Sequence, residues 1–129
     1  MPLATIEILE GRGAAEKRAL LESLRDAIVA GLRVPESDVI VRIDELAHED
    51  VLLAAGVSRK LTIVNLRMFL GRSPETKRRL YQAIVQGLAP LGVPPDELQI
   101  VLHEPPLESW GIRGGVPASE LELGVDLGG

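Results

Sequence analysis

Few residues in this chain are equipped for chemistry. His48 and His103 stand far apart without the spacing of metal ligands, so each is expected to be structural or solvent-exposed. With no cysteine, the chain has no thiolate nucleophile, disulfide or cysteine-ligated metal. Gly11 and Gly13 begin a G-x-G pattern after an apolar run, but Glu16 stands where a phosphate loop needs its third glycine. No serine has a histidine base within the pattern, which argues against a serine hydrolase. What remains is Pro2. Removal of Met1, usual before a small second residue, would leave Pro2 with a free secondary amine. An ordinary α-amino group titrates near ~7.7–8, and a prolyl amine is expected to be more basic. Burial disfavours the cation, and a nearby arginine disfavours it further. One arginine at ~7 Å in an effective dielectric of ~20 costs the cation about 2.4 kcal/mol, or roughly 1.7 pKa units. Such an amine would be a neutral general base at pH 7.

The elements that would position Pro2 come in two copies. Gly11-Arg12 recurs as Gly71-Arg72 and Lys17-Arg18 as Lys77-Arg78, each 60 residues on. Leu20, Leu24 and Ile28 answer to Leu80, Ile84 and Leu88. The offset then falls by one, matching Val34-Pro35 to Val93-Pro94 and Glu45 to Glu104. Each copy reads as strand, helix, strand. Leu3 to Leu9 is β-branched and apolar and ends at a glycine turn, and an amphipathic helix of about five turns follows. In the second copy Ser73 is a natural N-cap and Pro74 a natural first helical residue. The helices are expected to stop near Arg33 and Gly92, with strands at Val39 to Ile43 and Leu98 to His103. A helix between two strands is the connection a parallel pair requires.

The expected fold is therefore an α+β two-layer sandwich in a single domain, a four-stranded mixed sheet with two helices on one face. Repeat one covers residues 2–45, a connection 46–60, repeat two 61–104 and a C-terminal hairpin or tail 105–129. One helical turn is expected around Val51 to Ala55. Ile6, Ile8, Ile63, Val64, Leu66 and Met68 are expected to make both sheet faces apolar, so the uncovered face predicts a closed homo-oligomer that the tail reaches. A chain of 129 residues with a net charge of −5 and three aromatics offers no basic, stacking surface for nucleic acid. No apolar run approaches the ~20 residues of a membrane span, and no signal peptide is visible, so a cytoplasmic location is expected.

Pro2-Leu3-Ala4 leading into a strand, then Leu9-Glu10-Gly11-Arg12, and the tail Trp110-Gly111-Ile112-Arg113-Gly114-Gly115 together resemble the tautomerase superfamily. Its small single-unit member is 4-oxalocrotonate tautomerase (4-OT). The fused length, the Gly71-Arg72-Ser73 turn and the Trp110 tail look more like the malonate semialdehyde decarboxylase branch. The resemblance implies the fold shared with macrophage migration inhibitory factor, a homotrimer, no cofactor and a small oxo acid bearing a carboxylate as substrate. It implies that Pro2 is the catalytic base or a cationic acid and that Arg72 and Arg12 match carboxylate-binding arginines. Asp38 falls on an aspartate that assists proton transfer or activates water, and Trp110 and Ile112 match apolar residues lining the pocket. Leu70 and Ile40 stand where relatives carry further arginines, and Arg67 is a candidate to compensate. Taken as residues alone, Arg12 and Arg72 could equally be solvated or pair with carboxylates such as Glu10. Trp110 could anchor a subunit, and Glu7 and Arg67 could pair across strands. Three readings stay open: keto-enol tautomerisation by neutral Pro2, decarboxylation or hydration by cationic Pro2 with Asp38, and a non-catalytic trimer.

Overall fold

The computed structural model describes residues 2–123; Met1 and the last six residues of the expected tail lie outside the described residues. In the first half, β1 (Leu3–Leu9) and β2 (Ile40–Leu46) run parallel and are joined by α1 (Ala14–Leu32). In the second, β3 (Thr62–Arg67) and β4 (Leu98–His103) do the same through α2 (Pro74–Leu88). The halves meet where β1 pairs antiparallel with β3, giving the order β2-β1-β3-β4. This is the mixed sheet with two helices that the duplicated sequence predicts. No helix among the described residues is long and apolar enough to cross a membrane.

Helix boundaries follow from their caps. The Ser73 hydroxyl accepts from Thr76 N–H at 3.2 Å, satisfying one of the donors a helix start leaves unpaired, and Pro74 needs no donor there. Arg33, in the left-handed region at φ 56°, ends α1; a short 3-10 turn (Ala89–Leu91) prolongs α2 to Gly92 at φ 86°. The helices lie antiparallel: Ser23 Oγ donates to the Gly87 carbonyl at 2.8 Å, and Arg79 Nε donates to the Gly31 carbonyl at 3.0 Å. Their crossing leaves no room at Gly31, where an added Cβ would stand 2.8 Å from Leu80 Cα. Gly31→Ala is expected to lower stability, because forcing a packed core apart costs about 1–3 kcal/mol. Helix propensity returns only about 1 kcal/mol of that. A denaturant midpoint lower than wild type checks this.

Between helices and sheet lies an aliphatic core of Ile6, Ile8, Leu24, Ile28, Leu66 and Leu80 with their neighbours. Here the expected face pattern needs correction. Side chains alternate along a strand, so Ile6, Ile8, Val64, Leu66 and Met68 all point to the helices, and only Ile63 of the expected set lies on the open face. That open face is mixed rather than largely apolar. Arg42 Nε donates to Thr5 Oγ1 at 3.3 Å, Asn65 Nδ2 to Glu7 Oε1 at 3.2 Å, and His103 Nε2 to Asn65 Oδ1 at 3.3 Å. The cross-strand pair of Glu7 and Arg67 is also overturned: Glu7 stands opposite Ile63, while Arg67 stands opposite Leu3. Nor is there a helical turn at Val51 to Ala55; the 3-10 turn falls at His48–Asp50. The tail does form a hairpin, β5 (Gly111–Ile112) against β6 (Val116–Pro117). Its turn runs through Arg113, Gly114 and Gly115, all at positive φ.

Candidate active site

Three strand ends converge around Pro2. The antiparallel pairing of β1 with β3 brings the end of β3 to the start of β1, and the parallel pairing of β1 with β2 brings the start of β2 there as well. Pro2 is buried, and its carbonyl accepts from Ile40 N–H at 3.2 Å, which fixes the residue against β2. Asp38 is half-buried two residues upstream of Ile40, at the end of a 3-10 turn (Glu36–Asp38) closed by its own N–H on the Pro35 carbonyl at 3.0 Å. Arg67 lies exposed on the open face beside Leu3. Arg72, on the turn out of β3, donates from Nη1 to the Leu32 carbonyl at 2.8 Å, the C-terminal end of α1. A guanidinium there is favoured by the helix dipole as well as by the hydrogen bond.

The tail supplies an apolar wall to the same end. Trp110 is 9% exposed and meets Phe69 edge-on, ring centroids 5.1 Å apart at 78°. Its Nε1–H donates to the Pro105 carbonyl at 3.2 Å. Ala118 completes this cluster, and Leu3, Leu107 and Ile112 pack on it, so the wall begins one residue from Pro2. Trp110 thus packs against residues of its own chain. Phe69 was not singled out in the sequence; the signal was its place two residues past the end of a strand antiparallel to β1. Ile40 and Leu70, the positions at which the resemblance implies further arginines, are 57% and 50% exposed.

Arg12 does not join this constellation. It lies past the far end of β1, about 23 Å of extended strand from Pro2. There Arg12 Nη2 donates to the Gly92 carbonyl at 3.3 Å, as Arg72 does to Leu32 at the other end. Each turn arginine therefore reaches the helix end of the other copy. Lys17–Glu45 at 3.5 Å and Lys77–Glu104 at 2.8 Å repeat the same two-fold relation.

The connection before β3 is tied down by a carboxylate. Ser58 N–H donates to Glu97 Oε1 at 2.6 Å and its hydroxyl to the other oxygen, and these two bonds hold the Glu97 carboxyl below its ordinary range. A depressed folded-state value means the tie is present above the unfolded pKa and lost as pH falls through the folded one. The Ser58 amide proton is expected to shift upfield as acid titrates Glu97, and to show no such step in Glu97→Gln.

A duplicated β-α-β sheet with a buried prolyl residue, a turn arginine and an aromatic wall at one end defines a class of small enzymes, and the comparisons agree. Two family models, each described as tautomerase enzyme, match residues 2–60 and 44–113. The chain belongs to the tautomerase family. The 2-hydroxymuconate tautomerase of Pseudomonas putida is 40% identical over 60 residues, 46% of this chain and 94% of its own. A fused 4-OT solved as a symmetric trimer is 32% identical, with a TM-score of 0.82 over 91% of this chain and 96% of that one. The FG41 malonate semialdehyde decarboxylase, inhibited by 3-bromopropiolate, is 28% identical at a TM-score of 0.78, covering 91% and 92%. The protein is a tautomerase superfamily enzyme close to 2-hydroxymuconate tautomerase.

Proposed function

We propose that removal of Met1 frees the amine of Pro2 and that this amine moves a proton between oxygen and carbon of a small 2-oxo acid. The observation that carries this reading is the burial of Pro2 between an apolar wall and the end of the sheet that bears Arg72. Burial and the two arginines of that end, Arg72 and Arg67, disfavour the ammonium form and keep the amine a base at neutral pH. In the enol-to-keto direction Pro2 takes the enol O–H proton. The electron pair forms the carbonyl, and the new ammonium returns the proton to carbon. Arg72 clamps the substrate carboxylate through its planar fork, and Arg67 is a second cation for a far polar group. Trp110 and Ile112, with Leu3 and Phe69, face the hydrocarbon part. The working unit is a homotrimer, in keeping with the symmetric trimer of the fused 4-OT relative.

The position of Asp38 favours a second reading. A carboxylate two residues before Ile40, whose N–H holds Pro2, would stabilise a cationic Pro2 that polarises a carbonyl while Asp38 activates water, as decarboxylation or hydration requires. Nitrogen NMR titration of Pro2 in the mature chain separates the two. The first reading expects a value below that of a free prolyl amine and turnover of 2-hydroxymuconate or an enolised arylpyruvate. A value like that of the free amine, with carbon dioxide released from malonate semialdehyde, replaces it with the second. Intact mass showing Met1 retained ends both, because an acylated Pro2 nitrogen is not basic.

A further inference from the structure

The opposite end of the sheet has a cleft of its own. It encloses about 260 Å³ over Leu9 and Leu91, and Arg12, Arg59 and Lys60 line it together with Glu10 and Glu16. Three cations against two carboxylates is a local reversal in a chain whose net charge is −5. The two-fold relation between the halves makes this cleft the counterpart of the Pro2 end, with Arg12 in the role of Arg72. The position equivalent to Pro2, 60 residues on, is Thr62. Its nitrogen lies inside a peptide bond and its buried hydroxyl donates to the Lys60 carbonyl at 3.0 Å, so no base stands there.

Two of the cations, by contrast, are held by hydrogen bonds. Arg12 is held by the Gly92 carbonyl. His48 Nε2 donates to the Glu10 carbonyl at 3.0 Å, which leaves Nδ1 to accept from Arg59 Nη1. Lys60 follows within two residues of Ser58, itself fixed by Glu97. Of the carboxylates, Glu16 is turned toward Gly13 N–H at 3.5 Å, capping α1. The connection between the two copies brings Arg59 and Lys60 to this end of the sheet.

We propose that this cleft is a second carboxylate site, one that binds a small dicarboxylate and does not turn it over. Arg12 engages one carboxylate, Arg59 and Lys60 engage the other, and Leu9 and Leu91 receive the carbon spacer. The site stands apart from the proline mechanism and does not require Pro2 to be basic.

Its position makes the test clean, because Trp110, the sole tryptophan, reports only the other end. Titrating the intact protein with cis,cis-muconate, a dicarboxylate with no enol, is expected to give two equivalents per chain by calorimetry. Only one of them should change Trp110 fluorescence. Arg12→Ala is expected to weaken the fluorescence-silent event by on the order of tenfold or more. Lys60→Glu, on an exposed side chain, keeps the proposal testable if the loss of Arg12 disturbs the fold. It is expected to weaken the silent event similarly while the Trp110-coupled event stays as in wild type. No fluorescence-silent binding event, or a silent event indifferent to both substitutions, overturns the proposal. So does equal displacement by chloride at the same concentration, which would mean an adventitious ion only. Absence of the Trp110-coupled event instead counts against the reading of the Pro2 end and leaves the second site standing.

Discussion

Pro2→Ala is expected to lower kcat/KM for enol ketonisation by roughly 10²–10⁴, the span a positioned general base contributes. Alanine keeps an α-amino group, so the loss comes from geometry as well as basicity. The pyrrolidine ring fixes the nitrogen relative to Cα, whereas a primary amine rotates away from the proton it should take. The fold should tolerate the change, because the bond that ties residue 2 to β2 uses its carbonyl, which every residue has. Thermal midpoint near wild type with activity lost is therefore the expected pair of results. The pH profile sharpens it. Neutral Pro2 acting as base predicts a rate that falls as pH drops through its value, with the acidic limb moved in the variant. Full activity in Pro2→Ala would remove the proline mechanism outright.

The sequence made the units legible and hid their assembly. β1 at Leu3–Leu9, β4 at Leu98–His103 and the Ser73 cap depend on neighbours within a few residues, and they stand where spacing and residue type put them. Which arginine shares an end with Pro2 depends on something else, namely that two copies meet through antiparallel β1 and β3. No local pattern carries that pairing. Arg12, ten residues from Pro2 in sequence, is therefore the distant one, and Arg72 the near one. The composition of the open face escapes local pattern for a related reason. Ile6, Ile8, Val64 and Leu66 satisfy a single helix-covered face, and reading Thr5, Glu7, Arg42 and Asn65 as the other requires the register. Cation positions before β3 were equally silent, because Arg59 and Lys60 gain meaning only when His48 and Glu97 hold the connection over α2's end.

Trp110→Ala should cost about 3–5 kcal/mol if its burial is typical of a core tryptophan, and the loss should fall on one part of the chain. The hairpin of β5 and β6 has only two residues in each strand, too little to stand in water by itself. What seats it is the edge-on contact of Trp110 with Phe69, the indole N–H on the Pro105 carbonyl, and Ala118 closing the cluster. Removing the indole leaves a cavity against Phe69 and an unpaired carbonyl, so the residues from Pro105 to Leu123 should lose amide protection while β1 and β3 keep theirs. The amide of Ala118, bonded to the Trp110 carbonyl at 2.8 Å, is the probe. Trp110→Phe keeps an aromatic ring against Phe69 but loses the N–H donor and part of the indole's volume, so it should cost less than Trp110→Ala. Since the same cluster packs Leu3 beside Pro2, the alanine variant should also raise KM for an oxo acid with an apolar tail more than it lowers kcat. A loss under about 1 kcal/mol with Ala118 still protected would show that the tail is held by other contacts and that the wall beside Pro2 is not built from it.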